Sequence, residues 1–149
     1  MSQHHAVISW KRATSDFKYE TYDRSHLIRF GGGVEIQASA APEFKGRPEL
    51  VNPEEQFVAS LSSCHMLTFL ALAARNRLVV ESYEDEAVGY LEKKEAGRFW
   101  IARVILKPRV KFSSDGTPSP EKIHELHEKA HQECFIANSV STQVEIASR

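Results

Sequence analysis

Residues 52–75 read NPEEQFVASLSSCHMLTFLALAAR, and the reading of this stretch decides the fold. Asn52 is a good helix N-cap, Pro53 suits a first helical position, and Glu54 and Glu55 favour the positive end of a helix dipole. The pattern predicts a helix that runs to about Arg75. Its first half carries a stripe at Phe57, Leu61 and Cys64, whereas residues 66–74 are apolar almost all round. Such a helix belongs in the centre of a fold or between two subunits.

Strand signals lie on both sides of it. Residues 7–10 start a strand, and residues 25–40 read as a hairpin folded at Gly31-Gly32-Gly33, with Leu27, Ile28 and Phe30 before the glycines and Val34, Ile36 and Ala38 alternating after them. The segment SAAPEFKGRPELVNP is a loop by its Pro and Gly content. Beyond the helix, two long strands are expected over 79–92 and 99–112, joined at Glu95-Ala96-Gly97. A second helix follows, with Ser119 as N-cap and Pro120 at its first position. Ile123, Leu126, Ala130 and Cys134 share one face, Asn138 and Ser139 end it, and residues 142–147 alternate as a last strand. The order β-ββ-α-ββ-α-β implies one α+β domain over residues 1–149, in which antiparallel strands cover a mostly buried helix.

Composition narrows the function. A chain of 149 residues is long enough for one domain with a sizeable core. A net charge of -1, with no basic run, gives no reason to expect a nucleic-acid or membrane-surface partner. The apolar run at 66–74 is interrupted by Thr68 and is shorter than the ~20 residues that span a bilayer. The first ten residues (MSQHHAVISW) do not resemble a secretory signal, so a cytoplasmic location is the expectation. Two cysteines 70 positions apart are not the framework of a disulfide-rich secreted domain.

Two constellations carry chemistry. His127-Glu128-Lys129-Ala130-His131 fits H-E-x-x-H, in which two helical histidines bind zinc and the glutamate acts as base, and Cys134 falls on the same face as a third ligand. Against a zinc site stand Lys129 within the motif and Gln132-Glu133 after it, which mark a polar helix surface. The other constellation is the two cysteines. Cys64 lies mid-helix, beyond the reach of the dipole, so a thiolate there needs a cation from elsewhere in the fold. Cys134, near a helix C-terminus, faces partial negative charge and suits a second, attacking role. Two inert, buried cysteines are the alternative. His65 is adjacent to Cys64 but points about 100° away from it, which makes it a poor base for that thiol.

Asn52-Pro53-Glu54-Glu55, Cys64 twelve residues after Asn52, and His131-Gln132-Glu133-Cys134 ahead of Asn138 and a final strand resemble the OsmC/Ohr family of osmotically induced and organic-hydroperoxide-resistance proteins. The resemblance runs from the glycine hairpin to the C-terminus. It implies an intertwined α+β homodimer with sheets wrapped around central cysteine-bearing helices and active sites at the subunit interface. It implies a thiol peroxidase acting on organic hydroperoxides, with no bound cofactor and an external dithiol of the dihydrolipoamide type as reductant. In that reading Cys64 is the peroxidatic cysteine, Cys134 the resolving one, and Glu54 the acid that orients an activating arginine. Arg24, 28 residues before Asn52, fits the arginine of the peroxide-resistance branch best, with Arg29 and Arg47 as the other candidates. Phe57, Leu61, Met66 and Leu67 would form the apolar wall for the organic tail. Phe135 stands where the family often has proline. The alternatives are a non-catalytic OsmC-like protein that binds a small apolar molecule, and a zinc-binding hydrolase built on His127, Glu128 and His131.

Overall fold

The computed structural model describes residues 1–147 and contains eight strands and two α-helices. The elements follow the order β1 (Ala6–Ser9), β2 (His26–Phe30), β3 (Glu35–Ala38), α1 (Pro53–Arg75), β4 (Val80–Asp85), β5 (Val88–Lys93), β6 (Phe99–Leu106), β7 (Pro108–Phe112), α2 (Pro120–Glu133) and β8 (Gln143–Ile146). The chain forms two compact units, Met1–Gln56 and the remainder from Phe57 onward.

In the first unit β1, β2 and β3 form an antiparallel sheet in that order, with Ile28 opposite both Ile8 and Ile36. The β2–β3 turn closes at Gly33, whose φ of 87° lies in the left-handed region that glycine enters without steric cost. Gly46 has a different reason to be glycine: a Cβ there would lie 1.6 Å from the Ala40 carbonyl oxygen. The start of α1 is a capping box. The Asn52 Oδ1 accepts the Glu55 amide at 2.8 Å, and the Glu55 carboxylate accepts the Asn52 amide at 3.1 Å. Glu55 therefore does more than supply first-turn charge.

In the second unit each of the two long strands expected from sequence is broken in two. The break has an identifiable cause. Asp85 accepts the Lys107 backbone amide at 2.6 Å and the Ser62 hydroxyl at 2.5 Å, so Lys107 leaves the strand ladder and the chain changes partners. Before it, β6 pairs with β5; after it, β7 pairs with β4. The last strand, β8, runs parallel to β6, where an antiparallel arrangement was expected. Gly89 on β5 lets α1 approach closely, because a Cβ there would lie 2.5 Å from a Val58 methyl.

Two apolar clusters flank α1. Leu61 packs with Val104 and Leu106, while Phe69, Leu72 and Ala73 pack with Phe112, Leu126 and Ala130. At 23 residues α1 is long and apolar enough to cross a bilayer, which the shorter run counted at 66–74 had hidden. Here its Leu61 and Phe69 are instead core side chains beneath strands and α2. The helix ends in a Schellman motif, with the Leu78 amide on the Ala73 carbonyl and the Arg77 amide on the Ala74 carbonyl. The second helix has the predicted Ser119 cap, its hydroxyl oxygen accepting the Lys122 amide at 3.2 Å, but it stops at Glu133. Asn138 and Ser139 belong to a separate 3-10 turn.

Candidate functional site

The second unit brings the two cysteines together. Both are free thiols. Cys64 is half-buried on α1 and Cys134 is buried as the C-cap of α2. The two thiols are close enough for Cys64 to influence the Cys134 thiol. Burial, and then the neighbouring Cys64, push the Cys134 thiol above its ordinary pKa, against a smaller opposing pull from the backbone amides of Ala137 and Ile136. The Ala137 amide donates to Cys134 Sγ at 3.4 Å. Thus the inner thiol is held protonated, close to the more accessible one.

The four side chains expected to form one apolar wall are divided around α1. Leu61, only 1% exposed, belongs to the core. Phe57 lines a cavity of about 420 Å³ with Trp100 and Thr142, and Met66 is half-buried. Leu67, 60% exposed, lines a groove of about 480 Å³ with Thr68, Ala71, Arg75, Glu133 and Phe135. That groove starts one helical turn past Cys64, and Thr68 is tied to it by a 2.9 Å hydrogen bond to the Cys64 carbonyl. Phe135, 82% exposed, adds an aromatic edge next to Cys134.

The histidines behave differently from the sequence reading. His127 does not lie on a polar helix surface; it is buried, and its Nδ1 is 3.0 Å from Nε2 of His65. His65 therefore bonds a side chain 62 residues away. Burial lowers the pKa of both to about 4. For His65 the neighbouring His127 and His131 add to the effect; for His127 His124 adds to it, while Asp85 and Glu128 oppose it. Among the described residues no group of three or more His, Cys, Asp or Glu side chains could hold a metal ion, so the 127/128/131 motif does not form a zinc site here.

The first unit holds the three arginine candidates, and one of them differs from the others. Arg29 and Arg47 lie on the surface, paired with Glu35 at 3.7 Å and Glu49 at 2.6 Å. Arg24 is 9% exposed. Its guanidinium donates to the carbonyls of Tyr22 at 2.9 Å and Tyr19 at 2.7 Å and lies 3.9 Å from the Tyr22 ring centroid. It stands at a cavity of about 490 Å³ that also involves Trp10, Phe17, Phe44 and Pro53. Arg24 and Glu54 form no ion pair; one buried oxygen of Glu54 has no hydrogen-bond partner among the described residues.

A family model described as OsmC-like protein matches residues 46–149, more than half of the chain. The chain belongs to the OsmC-like protein family. No curated protein matches it. Among solved structures, an OsmC-like protein of unknown function from Vibrio cholerae is 45% identical over all of both chains, with a TM-score of 0.95. An organic hydroperoxide resistance protein from Elizabethkingia anophelis is 19% identical with a TM-score of 0.74, over 99% of this chain and 94% of its own. A putative organic hydroperoxide resistance protein from Vibrio cholerae, with captopril bound in one of its active sites, is 19% identical with a TM-score of 0.72, over 99% and 90%. At 19% identity the likeness establishes the OsmC-like fold alone. Asp85, His65 and His127 are the site-region residues that sequence reasoning missed or misplaced. Each acts through a partner at least 22 positions away, so no local pattern marks it.

Proposed function

We propose that this OsmC-like protein is a thiol peroxidase that reduces organic hydroperoxides to alcohols. The observation that carries this reading is the Cys64–Cys134 pair: a more accessible thiol on a central helix close to a buried, protonated one. The Cys64 thiolate attacks one peroxide oxygen, the O–O bond breaks, and the alkoxide takes a proton and leaves as alcohol. Cys64 is then a sulfenic acid. The Cys134 sulfur attacks the Cys64 sulfur, the S–O bond breaks, and the hydroxide leaves as water with the Cys134 proton. An external dithiol, such as a dihydrolipoamide-type compound, returns the disulfide to two thiols and is itself oxidised.

Arg24 is the arginine proposed to support the thiolate and the departing alkoxide, because it is the buried one of the three candidates. Glu54 is proposed as its carboxylate partner in the working enzyme; its unpartnered buried oxygen is the kind of group a guanidinium satisfies. Leu67 and Phe135 are proposed to meet the organic tail, in place of the four-residue wall expected from sequence. The protein is proposed to act as a cytoplasmic homodimer with its active sites at the subunit interface.

The test is turnover of cumene hydroperoxide and t-butyl hydroperoxide against hydrogen peroxide, with a dithiol reductant. Turnover is expected with the organic peroxides and is lost in Cys64→Ser. Thiols that react with them no faster than free cysteine would refute the peroxidase reading. Tight binding of an apolar ligand without turnover would favour a binding protein instead.

A further inference from the structure

The peroxidase chemistry leaves two buried groups unused. His65 follows Cys64 on α1, and His127 precedes Cys134 by seven residues, close to two helical turns, on α2. We propose that the His65–His127 hydrogen bond is a positioning device that fixes how α1 meets α2, and thereby governs closure of the Cys64–Cys134 disulfide. The inference rests on the peroxidase reading of this dithiol.

The packing argument starts from what else joins the two helices. Phe69, Leu72 and Ala73 of α1 share a cluster with Leu126 and Ala130 of α2. Apolar burial of this kind is strong but non-directional, and it tolerates small slides of one helix along another. A ring-to-ring hydrogen bond of 3.0 Å does not. The two imidazole planes are within 6° of parallel, and His127 also stacks on Phe69 at 4.3 Å, so its ring is held by two α1 side chains one turn apart. Cys134 caps α2 and moves with its register, which makes the sulfur–sulfur approach a direct readout of the ring pair.

The hydrogen-bond economy assigns the proton. His65 Nδ1 is buried with no partner among the described residues. A buried orphan acceptor is tolerated better than a buried orphan N–H, so His65 carries its proton on Nε2 and donates it to His127 Nδ1. Both rings are neutral, and removing one strands the other.

This assignment dictates the variants. Glutamine at 65 places its amide near the position of Nε2 and keeps the donor, whereas leucine fills similar space without one. Asparagine at 127 places its carbonyl near the position of Nδ1 and keeps the acceptor. Two readouts separate closure from the first oxidation: the disulfide's equilibrium against glutathione, and stopped-flow rates of Cys64 oxidation and disulfide closure with t-butyl hydroperoxide. His65→Leu and His127→Leu are expected to lower the effective concentration of the thiol pair and the closure rate by at least about tenfold. Cys64 oxidation should stay within about twofold, and His65→Gln and His127→Asn within about threefold of the parent for closure. Folded leucine variants that close as fast as the parent overturn the proposal, and so do variants that slow both steps equally.

If the leucine variants do not fold, His65→Gln against the shorter His65→Asn gives the same comparison, with loss expected only in the latter. Equal closure in both would also overturn the proposal. The glutathione equilibrium needs no peroxide. A His-dependent equilibrium in a protein without peroxide turnover would therefore reject the peroxidase reading while leaving the positioning role standing.

Discussion

The two thiols sit in different surroundings, and that difference fits the separate roles proposed for them. Cys134 is 1% exposed and its thiol is held above its ordinary pKa, which suits it to wait as the protonated partner. Cys134→Ser should leave the first oxidation of Cys64 intact but remove the disulfide, so that Cys64 proceeds to sulfinic and sulfonic acid. Mass spectrometry of peroxide-treated protein checks this; a Cys134→Ser protein that stays at the sulfenic stage under excess peroxide would argue against the resolving role. The buried histidines make a second residue-scale prediction. Each is lowered from its ordinary value near 6.5 to about 4, so the unfolded chain binds protons at a higher pH than the folded one does. Their contribution to stability should be fully present above pH 6.5, fall as the pH drops from there towards about 4, and level off below it. The loss is of order 3 kcal/mol for one such histidine. Denaturant unfolding between pH 7 and 4 measures it, and the His65→Leu/His127→Leu double variant should show a shallower dependence. Little of this was legible beforehand. The pairing of Cys64 with Cys134 entered through a family resemblance, not through spacing, and His65 and His127 are joined across 62 residues by tertiary packing.

At the scale of elements, local chemistry was the most readable. Asn52, Pro53 and the two glutamates marked the start of α1 because capping is settled within four residues, and the glycine hairpin was visible for the same reason. The strand breaks were not visible, because a carboxylate from β4 withdraws the Lys107 amide from the ladder at a distance of 22 positions. Both ends of α1 can be tested. Asn52→Ala removes the oxygen that accepts the Glu55 amide and should cost about 1 kcal/mol. Arg77, at the C-terminal cap, has φ of 60°, a region that costs a non-glycine residue about 1–2 kcal/mol, so Arg77→Gly should be stabilising by up to about 1 kcal/mol after its own entropy cost. Midpoints of urea unfolding for the two variants should move in opposite directions. A stabilised Asn52→Ala would show that the capping box contributes nothing.

At the scale of the whole molecule, the surface holds more apolar area than a solitary chain needs. In the first unit Val7, Ile8, Phe17, Leu27, Phe30 and Val34 are all exposed, and of the strand residues in its sheet only Ile28 and Ala38 are buried. A three-stranded sheet is stable when one face is covered, and here little of either face is. On α1 the exposed positions include Leu67, Ala71 and Ala74, three or four residues apart, which places them on one stripe of a helix whose other side chains form the core. The proposed partner is a second copy of the chain, which offers the same unmet faces in matching number. The expected result is a dimer in sedimentation at micromolar concentration. Leu67→Arg replaces a side chain whose full burial is worth about 1.5–3 kcal/mol with a charge, so it should weaken association by at least about tenfold. Ile8→Asp on β1 probes the sheet independently. If both faces belong to one dimer, each variant should shift the monomer–dimer equilibrium, and in Ile8→Asp, which leaves the proposed substrate groove untouched, peroxide turnover should fall with the dimer fraction and recover as protein concentration rises. A parent chain that sediments as a monomer across that range with full turnover would remove the interface from the catalytic account and place every catalytic group within one chain.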